Sequence, residues 1–122
     1  LVIYFYPKDD TPGCTTEALE FTAKHDAFAA ANTEIVGVSA DSVEKHKKFK
    51  TKHNLGVTLL SDPDQKMLEA YGVWVEKNMY GRKYMGIERA TFLVGKDGKI
   101  LNIWRKVRVK GHVEAVLETV SA

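Results

Sequence analysis

Leu1-Val2-Ile3-Tyr4-Phe5-Tyr6-Pro7-Lys8-Asp9-Asp10-Thr11-Pro12-Gly13-Cys14 opens the chain, and the reading of this stretch organises everything after it. Leu1 to Tyr6 is a short, continuous apolar run with β-branched and aromatic side chains and no polar alternation. Such a run fits a strand buried on both faces, as in a parallel sheet. Pro7 ends it, Pro12-Gly13 is a turn signal, and a helical pattern begins near Cys14. Cys14 is the single cysteine of the chain. At the head of a helix its sulfur faces unpaired backbone N–H groups and the positive end of the macrodipole, and both favour thiolate over thiol. Thr11 is placed to give the sulfur a hydroxyl neighbour, and Pro7 to fix the loop and cover the sulfur from bulk water. The plain alternative is an inert buried thiol, since free cysteine is among the most buried residue types.

Downstream of this stretch, Cys14, Ala18, Phe21, His25 and Phe28 recur at spacings of four and three, which puts them on one helical face that fades near Asn32. Glu34 to Ala40 reads as the next strand. Asp41 or Ser42 caps a following helix that runs to about His53, with Glu44 in its first turn and Val43, His46 and Phe49 on its inner side. Thr58 to Leu60 is a short strand, broken by Ser61-Asp62-Pro63-Asp64. A short helix from Asp64 to about Tyr71 ends at Gly72. Val73 to Glu88 has no clean period and reads as a long loop with extended pieces. Ala90 to Val94 is a strand, Asp97-Gly98 a hairpin signal, and Ile100 to Val107 the antiparallel return. Val113, Val116, Leu117 and Val120 mark a terminal amphipathic helix starting near Gly111. The order βαβαβα, then a β-hairpin, then α, predicts an α/β layer fold with a partly parallel sheet. An antiparallel hairpin near the end is a feature of the thioredoxin-like fold.

A chain of 122 residues predicts one domain over 1–122, long enough to bury a core. Hydrophobic content of 44% and charged content of 28% are those of a soluble globular protein. A net charge of +2 is too small to argue for nucleic acid as a partner. There is no apolar run of membrane-spanning length. One cysteine excludes an internal disulfide and a multi-cysteine zinc site, and fits a reducing, cytoplasmic compartment. His25, His46, His53 and His112 form no metal-ligand spacing and read as structural or surface residues. His25 shares a face with Cys14 but lies roughly 16 Å up the helix, too far for a Cys–His dyad.

Pro7, Thr11 and Cys14 stand in the Pro-x-x-x-Thr-x-x-Cys pattern of peroxiredoxins, and Tyr6 to Glu17 resembles the peroxiredoxin Q (bacterioferritin comigratory protein) subgroup. The resemblance continues through Gly37-Val38-Ser39, Leu60-Ser61-Asp62, Tyr71 to Trp74, Met79-Tyr80-Gly81 and Arg89 to Val94, and so covers nearly the whole chain. It implies a thioredoxin-like fold, a mixed central sheet flanked by helices, with roughly another strand pair ahead of Leu1. It also implies a thiol-dependent peroxidase that reduces hydrogen peroxide and alkyl hydroperoxides through a sulfenic acid on Cys14. No metal, haem or flavin is needed. The electron donor is an external thiol such as thioredoxin or glutaredoxin, and the protein a monomer. The rival reading is a non-enzymatic redox sensor or redox-dependent chaperone on the same scaffold. A thiol–disulfide oxidoreductase is disfavoured because there is no Cys-x-x-Cys.

Arg89 lies just before the strand Ala90 to Val94, from where its permanently charged guanidinium can point at the first helix and hold a thiolate and an anionic oxygen together. By position alone it is an ordinary surface arginine; the resemblance makes it catalytic. Glu17, one turn after Cys14, is by itself a first-turn helix acid. The resemblance implies that it orients Arg89. The lysines from Lys45 to Lys52 read as a solvated helix face, with docking of an acidic reductant as the alternative. Trp74, Met79 and Tyr80 either rim the sulfur or anchor their loop.

Many members of the resembled subgroup carry a second cysteine five residues after the first. Here that position is Leu19. Residues five apart in a helix have Cα atoms roughly 8 to 9 Å apart, beyond disulfide reach, so closing such a bond requires unwinding. Leu19, taken as a buried apolar side chain, favours keeping the helix. The chain resembles a one-cysteine version of the family.

Overall fold

A computed structural model describes residues 1–122. Five strands form a mixed sheet: β1 (Val2–Phe5), β2 (Ile35–Ser39), β3 (Thr58–Ser61), β6 (Ala90–Val94) and β7 (Ile100–Trp104), in the order β3-β2-β1-β6-β7. The pairs β1–β2 and β2–β3 are parallel, and β1–β6 and β6–β7 antiparallel. Helices α1 (Pro12–Ala23), α2 (His25–Ala30), α3 (Val43–His53), α4 (Lys66–Ala70) and α5 (His112–Ser121) fill the connections and the end. A separate two-stranded sheet is made by β4 (Trp74–Met79) and β5 (Arg82–Ile87).

The central strand is buried on both faces, as its unbroken apolar run predicts. Val2, Tyr4 and Tyr6 join Cys14, Ala18, Phe21, Phe28, Phe49 and Val113 in one cluster. Ile3 and Phe5 join Val38, Leu68, Val73, Ile87, Ala90 and Phe92 in the other. This cover on both faces of a mixed central sheet is the α/β solution of the thioredoxin-like class.

Register decides where the chemistry falls. Phe5 is opposite Ala90 in the antiparallel β1–β6 pair. Arg89 therefore lies at the level where β1 ends and the loop of residues 7–11 begins. The Arg89 carbonyl is fastened from the far side by the Val107 N–H at 2.9 Å, three residues past the end of β7.

Three expectations are corrected. Residues 73–88 are a β-hairpin, not a long loop: Tyr80 and Gly81 have φ of 53° and 80°, the left-handed pair of a tight hairpin turn. Tyr-Gly is not the usual signal for it, and the mostly exposed side chains of these strands carry no alternation to reveal it. The first helix breaks at Lys24 (φ −101°, ψ 7°), so α2 is re-aimed; Phe28 stays buried while His25 is exposed. Val43 is also exposed, leaving His46 and Phe49 as the inner face of α3.

Candidate active site

Thr11 is the N-cap of α1, Pro12 sits at its first position, and Cys14 lies within its first turn. The Thr11 side chain makes no cap bond to the helix. Its hydroxyl instead donates to the Lys8 carbonyl at 2.9 Å, which ties the turn to itself. The proton of Thr11 is thus committed backwards, while its oxygen keeps lone pairs to accept from a bound hydroxyl group. The helix start, uncapped by a side chain, presents N–H donors and a positive dipole end beside the sulfur.

Arg89 comes from the other end of the sequence to meet Cys14. Its Nη2 lies 3.4 Å from Cys14 Sγ, and its Nη1 donates to Glu17 Oε1 at 2.7 Å. The guanidinium fork thereby spans one turn of α1. Gly13 makes room for it: a Cβ there would stand 3.2 Å from Arg89 Nη2. Cys14 is 1% exposed and Glu17 is fully covered, while the Arg89 side chain remains 16% exposed. The sulfur is enclosed, and the guanidinium in contact with it is the more exposed of the two.

The electrostatics are those of a charge cluster in a poorly solvated place. Burial pushes the Glu17 carboxyl up to about 7 against the pull of Arg89. Its Oε2 has no protein hydrogen-bond partner, and neither has the buried Oη of Tyr4. The Tyr4 hydroxyl is held well above its ordinary range, first by burial and then by the charges of Glu17 and Cys14. For Arg89, burial works against the charge, but Glu17 and Cys14 outweigh it and raise its pKa. His112, its Nε2 2.7 Å from Thr91 Oγ1, is pushed down to about 4 by burial and by the charge of Arg89.

The structure brings together Cys14, Arg89 and Glu17, and puts Pro7 and Thr11 on the loop leading to them. Sequence reasoning missed Lys77. Its stem lies across Gly86 of β5, 3.1 Å from where a Cβ would be. Burial and the charge of Arg89 lower its pKa, while Cys14 and Glu88 raise it, so the hairpin brings a second cation into the field of the site. The undetected hairpin hid this residue. Met79 and Tyr80 are exposed at the hairpin tip, whereas Trp74 packs on the core. Leu19 is 42% exposed, so the expected burial that would hold α1 closed is not there. Ala18 and Phe21 do that instead.

A thiol at a helix N-terminus, a fork-shaped cation beside it and a buried acid behind the cation form an arrangement that can stabilise negative charge on sulfur or on an oxygen bound next to it. The AhpC/TSA family model matches residues 1–103, and the chain belongs to that family. It is 56% identical over 119 residues to peroxiredoxin Bcp of Bacillus subtilis, covering 98% of this chain and 76% of that protein. It is 51% identical over 122 residues to peroxiredoxin Bcp of Xanthomonas campestris, covering 100% and 76%. The solved structure of the Xanthomonas campestris bacterioferritin comigratory protein superposes with a TM-score of 0.94 at 49% identity, over 98% of this chain and 76% of that one. That structure is described for its alkyl peroxide reduction activity and trapped intermediate/ligand complexes.

Proposed function

We propose that this chain is a thiol-dependent peroxidase whose nucleophile is Cys14. The observation that carries the reading is the Arg89 guanidinium, 3.4 Å from Cys14 Sγ and 2.7 Å from Glu17 Oε1. In the first half-reaction the Cys14 sulfur attacks one oxygen of a hydroperoxide. The S–O bond forms, the O–O bond breaks, and the electron pair leaves with the other oxygen, which takes the proton the thiol gave up. The products are the sulfenic acid and water or an alcohol. Arg89 stabilises the charge as it passes from sulfur to oxygen, the group being positioned before the reaction begins. Thr11 Oγ1 accepts from the peroxide O–H. Pro7 limits water at the sulfur, and Glu17 holds the guanidinium in register.

In the second half, an external thiol displaces hydroxide from the sulfenic sulfur to give a mixed disulfide and water, and a further thiol frees Cys14. Thioredoxin or glutaredoxin is the donor of this proposal, acting on a monomeric, single-domain chain in the cytoplasm. Lys47, Lys48 and Lys50 of α3 are exposed, and this basic face supports docking of an acidic partner. The test is steady-state peroxide consumption by the purified chain and by Cys14→Ser, with thioredoxin, glutaredoxin or a small thiol. Repeated turnover that disappears in Cys14→Ser is the expected result. Near-normal turnover in the variant removes Cys14 from the mechanism, and a single turnover despite added thiol favours a redox sensor.

A further inference from the structure

Around Asp9 of the Pro7–Thr11 loop lies a largely buried polar network that the peroxide chemistry above does not use. Tyr6 Oη donates to Asp9 Oδ1 at 2.5 Å. His46 Nδ1 is 2.6 Å from Asp9 Oδ2, and His46 Nε2 is 3.0 Å from the Leu60 carbonyl oxygen. Tyr6, His46 and Asp9 are 1%, 5% and 8% exposed. Asp9 sits in the middle of the Pro7–Thr11 loop, and its own N–H donates to Asp41 Oδ2 at 2.8 Å. His46 projects from the inner face of α3, and Leu60 belongs to β3.

Proton counting defines what this network requires. A carbonyl oxygen only accepts, so Nε2 must carry a hydrogen. Asp9 Oδ2 and His46 Nδ1, 2.6 Å apart, need one more proton between them. Without it, the Nδ1 lone pair faces a carboxylate oxygen. Moving the remaining hydrogen to Nδ1 transfers the mismatch to the Leu60 carbonyl. No tautomer of a neutral imidazole beside an ionised Asp9 satisfies both contacts; the Asp9 contact is buried, where water cannot repair the loss, while the Leu60 contact is only partly buried.

We infer that His46 is a positioning residue for the Cys14 chemistry: through Asp9 it clamps the Pro7–Thr11 loop against α3 and β3, and the clamp releases when the His46–Asp9 pair loses its shared proton. The inference rests on the peroxidase reading, but the clamp has a readout of its own. A weaker, solvent-exposed fastening supports the same loop at Asp10, which takes a left-handed φ of 59°. Asp10 pairs with Lys52 Nζ at 2.7 Å and His53 Nε2 at 2.9 Å.

The groups facing His46 are Asp9 and Tyr6 on the β1 side and Asp41 from the β2–α3 connection. Asp41 accepts from Ser39 Oγ at 2.8 Å and meets Lys45 of α3 at 3.9 Å. From β3 the contact is the Leu60 carbonyl. Burial disfavours the charged imidazole, but Asp9, then the Leu60 carbonyl and Asp41, outweigh it, so the pKa of His46 is raised above 6.5. The sign follows. The clamp is fully present below the ordinary histidine value, and it is lost as pH rises through the raised value of the folded state.

The test uses the full chain and three readouts across about pH 5 to 9, which takes in the ordinary histidine range of about pH 5 to 8 and leaves room above it for a raised value. These are the ring 15N shifts of His46, amide exchange of Lys8 to Thr11 corrected for intrinsic base catalysis, and the rate of Cys14 oxidation by one equivalent of hydrogen peroxide. Both ring nitrogens of His46 should be protonated at the acid end. Loop protection and oxidation rate should fall together as the pair loses its proton, the rate by about ten- to a hundredfold, the scale of a misplaced site. In His46→Gln both quantities should become flat across that limb. Should His46→Gln fail to fold, Asp9→Asn serves, with the same flattening expected. A neutral His46 ring at the acid end, or a pH limb that persists in the folded variant, overturns the inference. If the wild-type chain does not react with peroxide, the peroxidase reading fails, while the 15N and exchange data still decide whether the clamp exists.

Discussion

Arg89 and Glu17, 72 positions apart in the chain, meet at 2.7 Å through Nη1 and Oε1. The contact is made between a half-buried cation and a fully covered acid, so it is an ion pair in a place where charge is costly. Its worth is geometric. With Nη1 engaged by Glu17, Nη2 is left 3.4 Å from Cys14 Sγ, and the guanidinium plane cannot turn away from the sulfur without abandoning the acid.

Replacing Arg89 with Lys tests that geometry. An ammonium keeps the charge but has no fork to serve Glu17 and the sulfur together. Peroxide kcat/KM is expected to fall on the order of 10²- to 10³-fold, the cost of losing one aimed donor to a developing oxyanion. Alkylation of Cys14 by iodoacetamide at neutral pH should slow as well. Unchanged values in both assays would reduce Arg89 to a structural residue.

Gly13 is the position that lets Arg89 approach the helix. A methyl group 3.2 Å from Nη2 forces the guanidinium back by a few tenths of an ångström, since backbone lies behind the methyl and only the side chain can give. For Gly13→Ala we expect helix content and melting temperature near or slightly above wild type, because Ala is the better helix former. Peroxide kcat/KM should drop by about tenfold. A variant as active as wild type would show that the close approach is not needed.

Glu17 predicts a pH dependence of stability. Its carboxyl titrates at about 7 in the folded chain against the ordinary 4.5. Its contribution is therefore fully present below about 4.5 and is lost as pH rises through about 7. The difference is at most about 3 kcal/mol. Glu17→Gln, which keeps an acceptor for Arg89 but cannot ionise, should gain on wild type between pH 5 and pH 8 in urea unfolding. His112, pushed down to about 4, runs the other way: its contribution is present above about 6.5 and is lost as pH falls through about 4. Variant and wild type must therefore be compared at each pH. A constant difference between them would contradict the assignment.

Leu19 and the single cysteine predict the oxidised product. One equivalent of peroxide should add one oxygen to the chain, trappable by dimedone, or give a mixed disulfide with added thiol. Excess peroxide should carry Cys14 to sulfinic acid, because no second thiol in these residues intercepts the sulfenate. Leu19→Cys should close an internal disulfide only with loss of helical signal, since folded spacing exceeds bonding reach. Intact mass and far-ultraviolet circular dichroism read both. Loss of two hydrogens without an adduct in the wild-type chain would refute the one-cysteine chemistry.

Much of the fold is legible in the sequence. The apolar run of β1, the Ser42 cap and the Asp97-Gly98 turn are local signals. Each depends on neighbours in sequence, and each element they predict is present. Pro12-Gly13, expected as a turn, instead forms the first two positions of α1, where the fixed φ of proline suits the helix. The hairpin of β4 and β5 was not legible, because its strands are largely exposed and its turn is Tyr80-Gly81. The break at Lys24 was hidden too, since Phe21 and Phe28 keep a helical spacing on either side of it.

Sequence alone determined that there is one thiol, that it heads a helix, and that Arg89 stands at the start of a strand. It could place Thr11 near Cys14 and Glu17 one turn away, because those relations are local. Tertiary structure decided the rest through the β1–β6 register: Phe5 opposite Ala90 is what sets Arg89 above the helix end rather than one residue further along and on the opposite face. It also decided that Asp9 and His46, 37 positions apart, meet at 2.6 Å in a buried contact. Pairings of that kind depend on desolvation and on which side chains the fold brings together, and neither quantity is written in the spacing of residues along a chain.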